Sequence, residues 1–120
     1  MKFVYFYNEF GVPDVKADMK YIRLADVLTD ANHETEIDEI LNGLEELKTP
    51  EAEWDMSFNK SYVNMTSERV RCGDLYNEDD YIDVTHSQLK EALNSWKVFL
   101  TNKKLKNMEV KIKNQGVRLD

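Results

Sequence analysis

The sequence predicts an α+β domain in which a mostly antiparallel sheet, built from an N-terminal strand and a central meander, is covered by two main amphipathic helices. Apolar residues recur every three or four positions at 34–48 and 87–102, which is the period of a helix with one buried face. In other short segments they alternate with polar residues, as in a strand with one buried face. A chain of 120 residues fits one domain, 1–120, with a single core.

The chain begins with a strand, a turn and an ambiguous segment. Residues 3–7 are aromatic or branched, which favours a strand, and Phe-Gly-Val-Pro at 10–13 predicts a turn. From 16 to 28, four apolar residues stand at helical spacing, but no capping signal precedes them. We therefore expect an irregular segment with room for one short helix.

The first main helix is predicted at 34–48. Its apolar stripe is formed by Ile37, Ile40, Leu41, Leu44 and Leu47. Acidic residues in the first turn complement the positive end of the helix dipole, and a lysine followed by Thr-Pro marks the end. Gly43 weakens the helix slightly. The face opposite the stripe presents Asp38, Glu45 and Glu46 to solvent.

Three antiparallel strands are predicted after Pro50. In the first strand, the side chains expected to be buried are Trp54, Met56 and Phe58, which alternate with polar residues. The pattern continues through 60–66 and 69–75, and turn-forming residues such as Asn59 and Ser67 separate the segments. These segments predict a meander.

An acidic loop and the second main helix are predicted after the meander. The loop, at 76–81, carries three acidic residues between two tyrosines. Thr85 is the expected N-cap of the helix at 87–102, and Gln88 completes a capping box. The apolar stripe of this helix is formed by Leu89, Ala92, Leu93, Trp96, Phe99 and Leu100.

Charge is distributed unevenly along the chain, whose net charge is −7. Residues 1–96 hold 21 acidic and 9 basic residues, whereas residues 97–120 hold 2 acidic and 7 basic ones. An acidic body repels the phosphates of nucleic acids and attracts basic partners, although acidity also serves solubility. We expect no direct nucleic-acid binding, because the basic tail lacks interleaved aromatic residues.

The basic tail, 103–120, is compatible with an edge strand. Met108, Val110 and Ile112 alternate there with charged residues. The end of the tail, 114–120, fits a loose segment equally well.

No catalytic or metal site can be assembled from the sequence. The single cysteine, Cys72, excludes an internal disulfide, favours a reducing compartment and is expected to be a core residue. A zinc site needs four donors with paired spacing, which Cys72 and two separated histidines, His33 and His86, do not supply. Carboxylates are abundant, but no glycine-rich phosphate loop or nucleophile elbow accompanies them. We expect no enzyme, no cofactor and no metal.

A cytoplasmic location without membrane insertion is expected. The apolar run at the N-terminus ends at Asn8 and Glu9, too early for a signal peptide. No segment reaches the roughly 20 apolar residues that cross a bilayer.

The order of the elements and several motifs resemble small immunity proteins of contact-dependent growth inhibition and related polymorphic toxin systems. The motifs are the stripe of the first helix, Trp-Asp-Met-Ser at 54–57, Arg-Val-Arg at 69–71 and Leu-Lys-Glu-Ala-Leu-Asn-Ser-Trp-Lys-Val-Phe-Leu at 89–100. The resemblance implies a cytosolic bacterial protein that binds its cognate toxin domain, often a nuclease, and blocks it.

An acidic surface is the expected toxin-binding site. It suits a basic nuclease, whose cleft carries Lys and Arg to hold phosphates, and it can mimic the nucleic acid. The candidate toxin-binding residues are Asp74, Tyr76, Glu78, Asp79, Asp80 and Tyr81 around the loop, and Asp38, Glu45 and Glu46 on the first helix. The loop is slightly favoured, because its carboxylates are dense and lie beside tyrosines, which anchor polar interfaces.

Two other function classes remain open. A non-catalytic adaptor or regulatory module that binds another basic protein has the same charge, and a neighbouring toxin gene distinguishes an immunity protein from it. A small hydrolase or transferase subunit requires a cleft that brings His86 or Cys72 near carboxylates. The sequence does not indicate the oligomeric state.

Overall fold

Residues 1–113, the part of the chain described by the computed structural model, form seven strands and three α-helices. The predicted α+β class is confirmed. The strands are β1 (Lys2–Tyr7), β2 (Pro13–Ala17), β3 (Glu53–Ser57), β4 (Ser61–Thr66), β5 (Val70–Asp74), β6 (Asn77–Val84) and β7 (Asn107–Lys111). The helices are α1 (Ile22–Asp30), α2 (Glu34–Glu45) and α3 (His86–Thr101), and a short 3₁₀ helix, Met19–Tyr21, precedes α1.

The strands form two sheets in which all described pairs are antiparallel. The first sheet has the order β2-β1-β7 and the second the order β3-β4-β5-β6. The predicted meander is confirmed as β3, β4 and β5, whereas the N-terminal strand pairs outside it, in the first sheet. The tail does supply an edge strand, β7, which pairs with β1. The alternatives for 114–120 concern residues outside the described part.

The short helix allowed for at 16–28 is present as α1, but the expectation that the rest of the segment is irregular is wrong. Residues 13–17 form β2, and α1 begins at Ile22. The N-cap residue, Tyr21, makes no capping hydrogen bond through its side chain, so the sequence carries no start signal for this helix. Helix α1 is instead stabilised by burial of Leu24, Val27 and Leu28, which are fully inaccessible to solvent.

The two predicted main helices are confirmed, with small changes at their ends. Helix α2 ends at Glu45, before the expected position, because its last turn tightens into hydrogen bonds that span three residues. The capping box of α3 is present: the Gln88 amide donates to Thr85 Oγ1 at 3.0 Å, and the Thr85 amide donates to Gln88 Oε1 at 2.9 Å.

The acidic loop predicted at 76–81 is also wrong, because most of these residues belong to β6. The turn is confined to Leu75 and Tyr76, and the Asp74 carboxylate closes it by accepting a hydrogen bond from the Tyr76 amide at 2.9 Å. Asp74 pairs with Asn77, but the next pair joins Gly73 to Tyr81. Three acidic residues, Glu78 to Asp80, therefore lie between two consecutive pairs and form a bulge of three extra residues in β6.

The helices and the inner faces of both sheets enclose one hydrophobic core. Tyr5 of β1 packs edge-on against Trp96 of α3, with 5.1 Å between ring centroids. The Trp96 indole donates a hydrogen bond to the Ala31 carbonyl at 3.0 Å, which links α3 to the end of α1. Among residues 1–113, no helix has the length and apolarity that crossing a membrane requires.

Candidate functional site

The second sheet has one face against the helices and one face toward solvent. Successive side chains of a strand point to opposite faces, so Met65, Val70 and Cys72 enter the core while their neighbours point outward. The outward side, which we call the open face, carries the carboxylates of Glu53, Asp55, Glu78, Asp79 and Asp83, the guanidinium groups of Arg69 and Arg71, and the rings of Tyr62 and Tyr81. Most of these residues line a shallow groove of about 580 Å³.

Arg71 lies at the centre of the open face in a fixed orientation. It stands opposite Asp83, and its Nε and NH2 donate to the two carboxylate oxygens at 2.8 and 3.0 Å. The guanidinium carbon also lies 3.8 Å from the centroid of the Tyr81 ring. The hydrogen bonds from Arg71 lower the pKa of Asp83. Forked pairing and stacking together give the Arg71 group a single direction.

Gly73 of β5 is paired with Tyr62 of β4 on one side and with Tyr81 of β6 on the other. The Tyr62 side chain covers the space that the missing side chain of Gly73 leaves open. A Cβ atom on Gly73 would overlap the Tyr62 ring, so the ring occupies the space that a larger residue would fill. The Tyr62 hydroxyl donates to the Glu78 carbonyl at 2.9 Å. The ring is thereby held beside the acidic bulge of β6.

A second chain of polar side chains joins β3, β4 and the residue that precedes β5, at the other end of the groove. Asn64 Nδ2 donates to Glu53 Oε2 at 2.7 Å, and Arg69 NH1 donates to Asn64 Oδ1 at 3.3 Å. Glu53 and Arg69 are therefore both oriented through the same amide.

Three carboxylates of the open face are unpaired. Asp55, Glu78 and Asp79 form no ion pair with any group in residues 1–113. With five carboxylates against two guanidinium groups, the open face has a net charge of −3. Its free carboxylates flank a centre of oriented tyrosine and arginine side chains.

The structure divides the candidate residues around the predicted loop between two sides of the sheet. Glu78, Asp79 and Tyr81 lie together on the open face. Asp80 instead forms an ion pair with Arg23 of α1 at 3.0 Å, and Asp74 lies 3.9 Å from the same guanidinium group. These two aspartates therefore fasten the β5–β6 hairpin to α1.

Tyr76 occupies the exposed turn of that hairpin. The residue is 82% exposed, and its hydroxyl donates to the Asn59 carbonyl at 3.1 Å. It therefore lies at the end of the sheet, outside the groove.

The candidate residues on α2 lie near lysines of α3. Asp38 accepts a hydrogen bond from Lys97 at 2.7 Å, and Glu45 lies 4.0 Å from Lys90. Glu46 is exposed beside them. Because the lysines compensate part of this charge, the α2 surface attracts a basic partner less than the open face does.

Sequence reasoning missed several residues of the open face, namely Glu53, Asp55, Tyr62, Arg71 and Asp83. The alternation in β3 already indicated that Asp55 points to solvent, and the same alternation in β4 and β5 identifies Tyr62 and Arg71. The face was not recognised because the segment that completes it, β6, was interpreted as a loop.

The groups considered for catalysis lie apart from this face. Cys72 is fully buried on the core side, as expected, and burial raises the pKa of its thiol to about 12, which disfavours the reactive thiolate. His33 is exposed, whereas half-buried His86 donates from Nε2 to the Thr66 carbonyl at 2.7 Å. Within residues 1–113, no group of three or more His, Cys, Asp or Glu side chains is arranged to hold a metal ion.

No protein-family model, curated protein or solved structure matches this chain. The resemblance to immunity proteins stays a prediction from the sequence motifs. The functional interpretation therefore depends on the chemistry of the open face.

Proposed function

We propose that this protein is a cytoplasmic immunity protein that binds a basic bacterial toxin domain and blocks it without catalysis. The observation that carries the proposal is the open face, where Asp55, Glu78 and Asp79 have no ion-pair partner within residues 1–113 and lie beside oriented tyrosine side chains. This surface attracts a positively charged protein and gives it aromatic groups to pack against.

The shape of the open face supports a protein partner over a small molecule. Small-molecule sites are usually concave and largely apolar, whereas this groove is shallow and polar. Its carboxylates extend from β3 to β6, across three strand spacings or about 14 Å. Charges spread over that distance match the surface of a protein domain.

The net charge of the face supports a nuclease as the toxin. A nuclease cleft must present Lys and Arg to bind phosphates, so it is complementary to a face that carries −3. Attraction between the two surfaces accelerates their encounter and selects against acidic proteins.

Co-expression with the domain encoded immediately upstream of the gene, scored for toxicity of that domain alone and for rescue, tests the proposed function. We expect restored growth of the host and a one-to-one complex that persists through purification. Continued toxicity in the presence of folded protein would contradict immunity, and recovery of a different basic protein would favour the adaptor function.

A further inference from the structure

We propose that the open face receives an arginine side chain of its partner, between the Tyr62 ring and the carboxylates of Glu78 and Asp79. This inference rests on the proposed function, because it assumes that the partner is a basic protein. It names the chemical group of that partner which the open face binds. It goes beyond charge attraction, because it assigns one position and one chemical group.

The chain itself contains an example of the same recognition. In the neighbouring position, the Arg71 guanidinium stacks on the Tyr81 ring and donates two hydrogen bonds to the Asp83 carboxylate. An aromatic ring below a guanidinium and a carboxylate at its edge satisfy both its planar surface and its donors.

The components of that arrangement recur around Tyr62. The ring is fixed over Gly73, and its hydroxyl donates to the Glu78 carbonyl, so ring and bulge keep a constant relation. The bulge supplies two carboxylates, Glu78 and Asp79, that line the same groove.

This second position lacks a basic group from the described part of the chain. No lysine or arginine of residues 1–113 forms an ion pair with Glu78 or Asp79 or lies over the Tyr62 ring. The nearest guanidinium in the register, that of Arg71, is already bound by Asp83 and Tyr81. A basic group from another protein therefore meets free carboxylates at this position.

The chemistry favours arginine over lysine. A guanidinium group is planar, stacks on an aromatic ring and donates two parallel hydrogen bonds to a carboxylate, whereas an ammonium group is a strongly hydrated point charge. Phosphate groups are disfavoured by the unpaired carboxylates.

A titration followed by two-dimensional NMR of backbone amides tests the inference on the full chain. The probe is the synthetic peptide acetyl-Gly-Arg-Gly-Arg-Gly-amide. We expect concentration-dependent shifts at Tyr62, Gly73 and Glu78–Asp80. The peptide with lysine in place of arginine should bind about threefold more weakly, as expected for loss of one exposed stacking interaction.

Matched variants identify the side chains that bind the arginine peptide. Glu78→Gln with Asp79→Asn should weaken arginine-peptide binding by about tenfold, since two charge pairs are lost. Glu45→Gln with Glu46→Gln removes the same charge from α2 and should leave binding unchanged. Tyr62→Leu should weaken binding, while Tyr62→Phe, which keeps the ring, should retain most of it.

Three results would overturn the inference. They are shifts centred on α2 and α3, equal effects of the two double variants, and equal binding of the lysine and arginine peptides. Amide spectra of each variant show whether it is folded, and the comparison of the arginine and lysine peptides on the wild type provides a test if Tyr62→Leu does not fold.

Failure of this inference is distinguishable from failure of the proposed function. Growth rescue by wild type and by Glu78→Gln with Asp79→Asn alike would leave immunity standing without the arginine position. Peptide binding at Tyr62 without growth rescue would support the arginine position and contradict the immunity function.

Discussion

At the scale of single residues, Gly73 determines the shape of the open face. Its missing side chain leaves the space that the Tyr62 ring fills, and that placement brings the Tyr62 hydroxyl to the Glu78 carbonyl. The overlapping atoms belong to the far end of the Tyr62 side chain, which can rotate away without moving the backbone. Gly73 therefore positions an aromatic ring more than it relieves backbone strain.

Substitution of Gly73 by alanine should separate stability from binding. We expect the free energy of unfolding to change by less than about 1 kcal/mol, because the strand keeps its pairing and only an outer ring moves. Binding of the arginine peptide should fall by about threefold, the effect of one exposed stacking interaction. Urea unfolding and the NMR titration measure the two effects, and unchanged peptide binding would contradict this role of Gly73.

The buried thiol of Cys72 and the buried phenol of Tyr5 predict that the folded protein loses stability at alkaline pH. Burial raises the pKa of Cys72 from 9.0 to about 12 and that of Tyr5 from 10.0 to about 12. Above pH 9 the unfolded chain releases the thiol proton while the folded chain retains it, so stability falls as pH rises. Between pH 9 and 10 Cys72 should account for about 1 kcal/mol, and Tyr5 adds to the loss above pH 10.

Urea unfolding at pH 8, 9 and 10 measures this loss. Cys72→Ala is the control: it should be less stable at every pH because of the cavity it leaves, but its stability should decline less between pH 9 and 10. An equal decline in both proteins would show that another group is responsible.

At the scale of elements, the contact between α2 and β3 explains why a glycine occupies position 43. A Cβ atom at Gly43 would lie 2.6–2.7 Å from atoms of the Trp54 indole, so the indole of β3 packs directly against the α2 backbone. The sequence showed only the cost of a glycine within a helix.

Gly43→Ala should therefore destabilise the protein, although alanine favours helices by about 1 kcal/mol relative to glycine. The added methyl group displaces the partly buried indole, and overpacking of this kind costs about 1–3 kcal/mol. Urea unfolding and Trp fluorescence report the change. A more stable variant would show that the indole moves aside freely and that its packing is unimportant.

The elements that could be predicted from the sequence are those with local signals. Helix α3 has a capping box and a long apolar stripe, and the meander has alternation between turn residues. Helix α1 has no capping side chain and depends on burial between distant strands, which the sequence does not display. Strand β6 was missed because three consecutive acidic residues in a bulge interrupt its alternation.

The same limit explains how much of the candidate site was predicted. Glu78, Asp79 and Tyr81 were identified through local density of charge, which is visible in the chain. Their separation from Asp80 depends on Arg23, a residue far away in sequence that holds the opposite side of the hairpin. Pairing over such distances is determined by the fold.

At the scale of the whole molecule, acidic charge is divided between a compensated and an uncompensated surface. On α2, Asp38 pairs with Lys97, and Glu45 lies near Lys90. On the open face, Asp55, Glu78 and Asp79 remain unpaired within the described part of the chain. Under the proposed function, net charge attracts the basic partner toward the molecule, and local charge determines where it binds.

The kinetics of association with the proposed partner, the domain encoded immediately upstream of the gene, provide the most direct measurement. Wild type, Glu78→Gln with Asp79→Asn, and Glu45→Gln with Glu46→Gln are compared at low and physiological salt. The two double variants have the same net charge, so a difference between them reports the position of the interface.

We expect the Glu78 and Asp79 variant to associate more slowly, to depend less on salt and to bind about tenfold more weakly, whereas the Glu45 and Glu46 variant stays close to wild type. Equal kinetics for the two variants, or a larger loss in the Glu45 and Glu46 variant, would contradict binding through the open face.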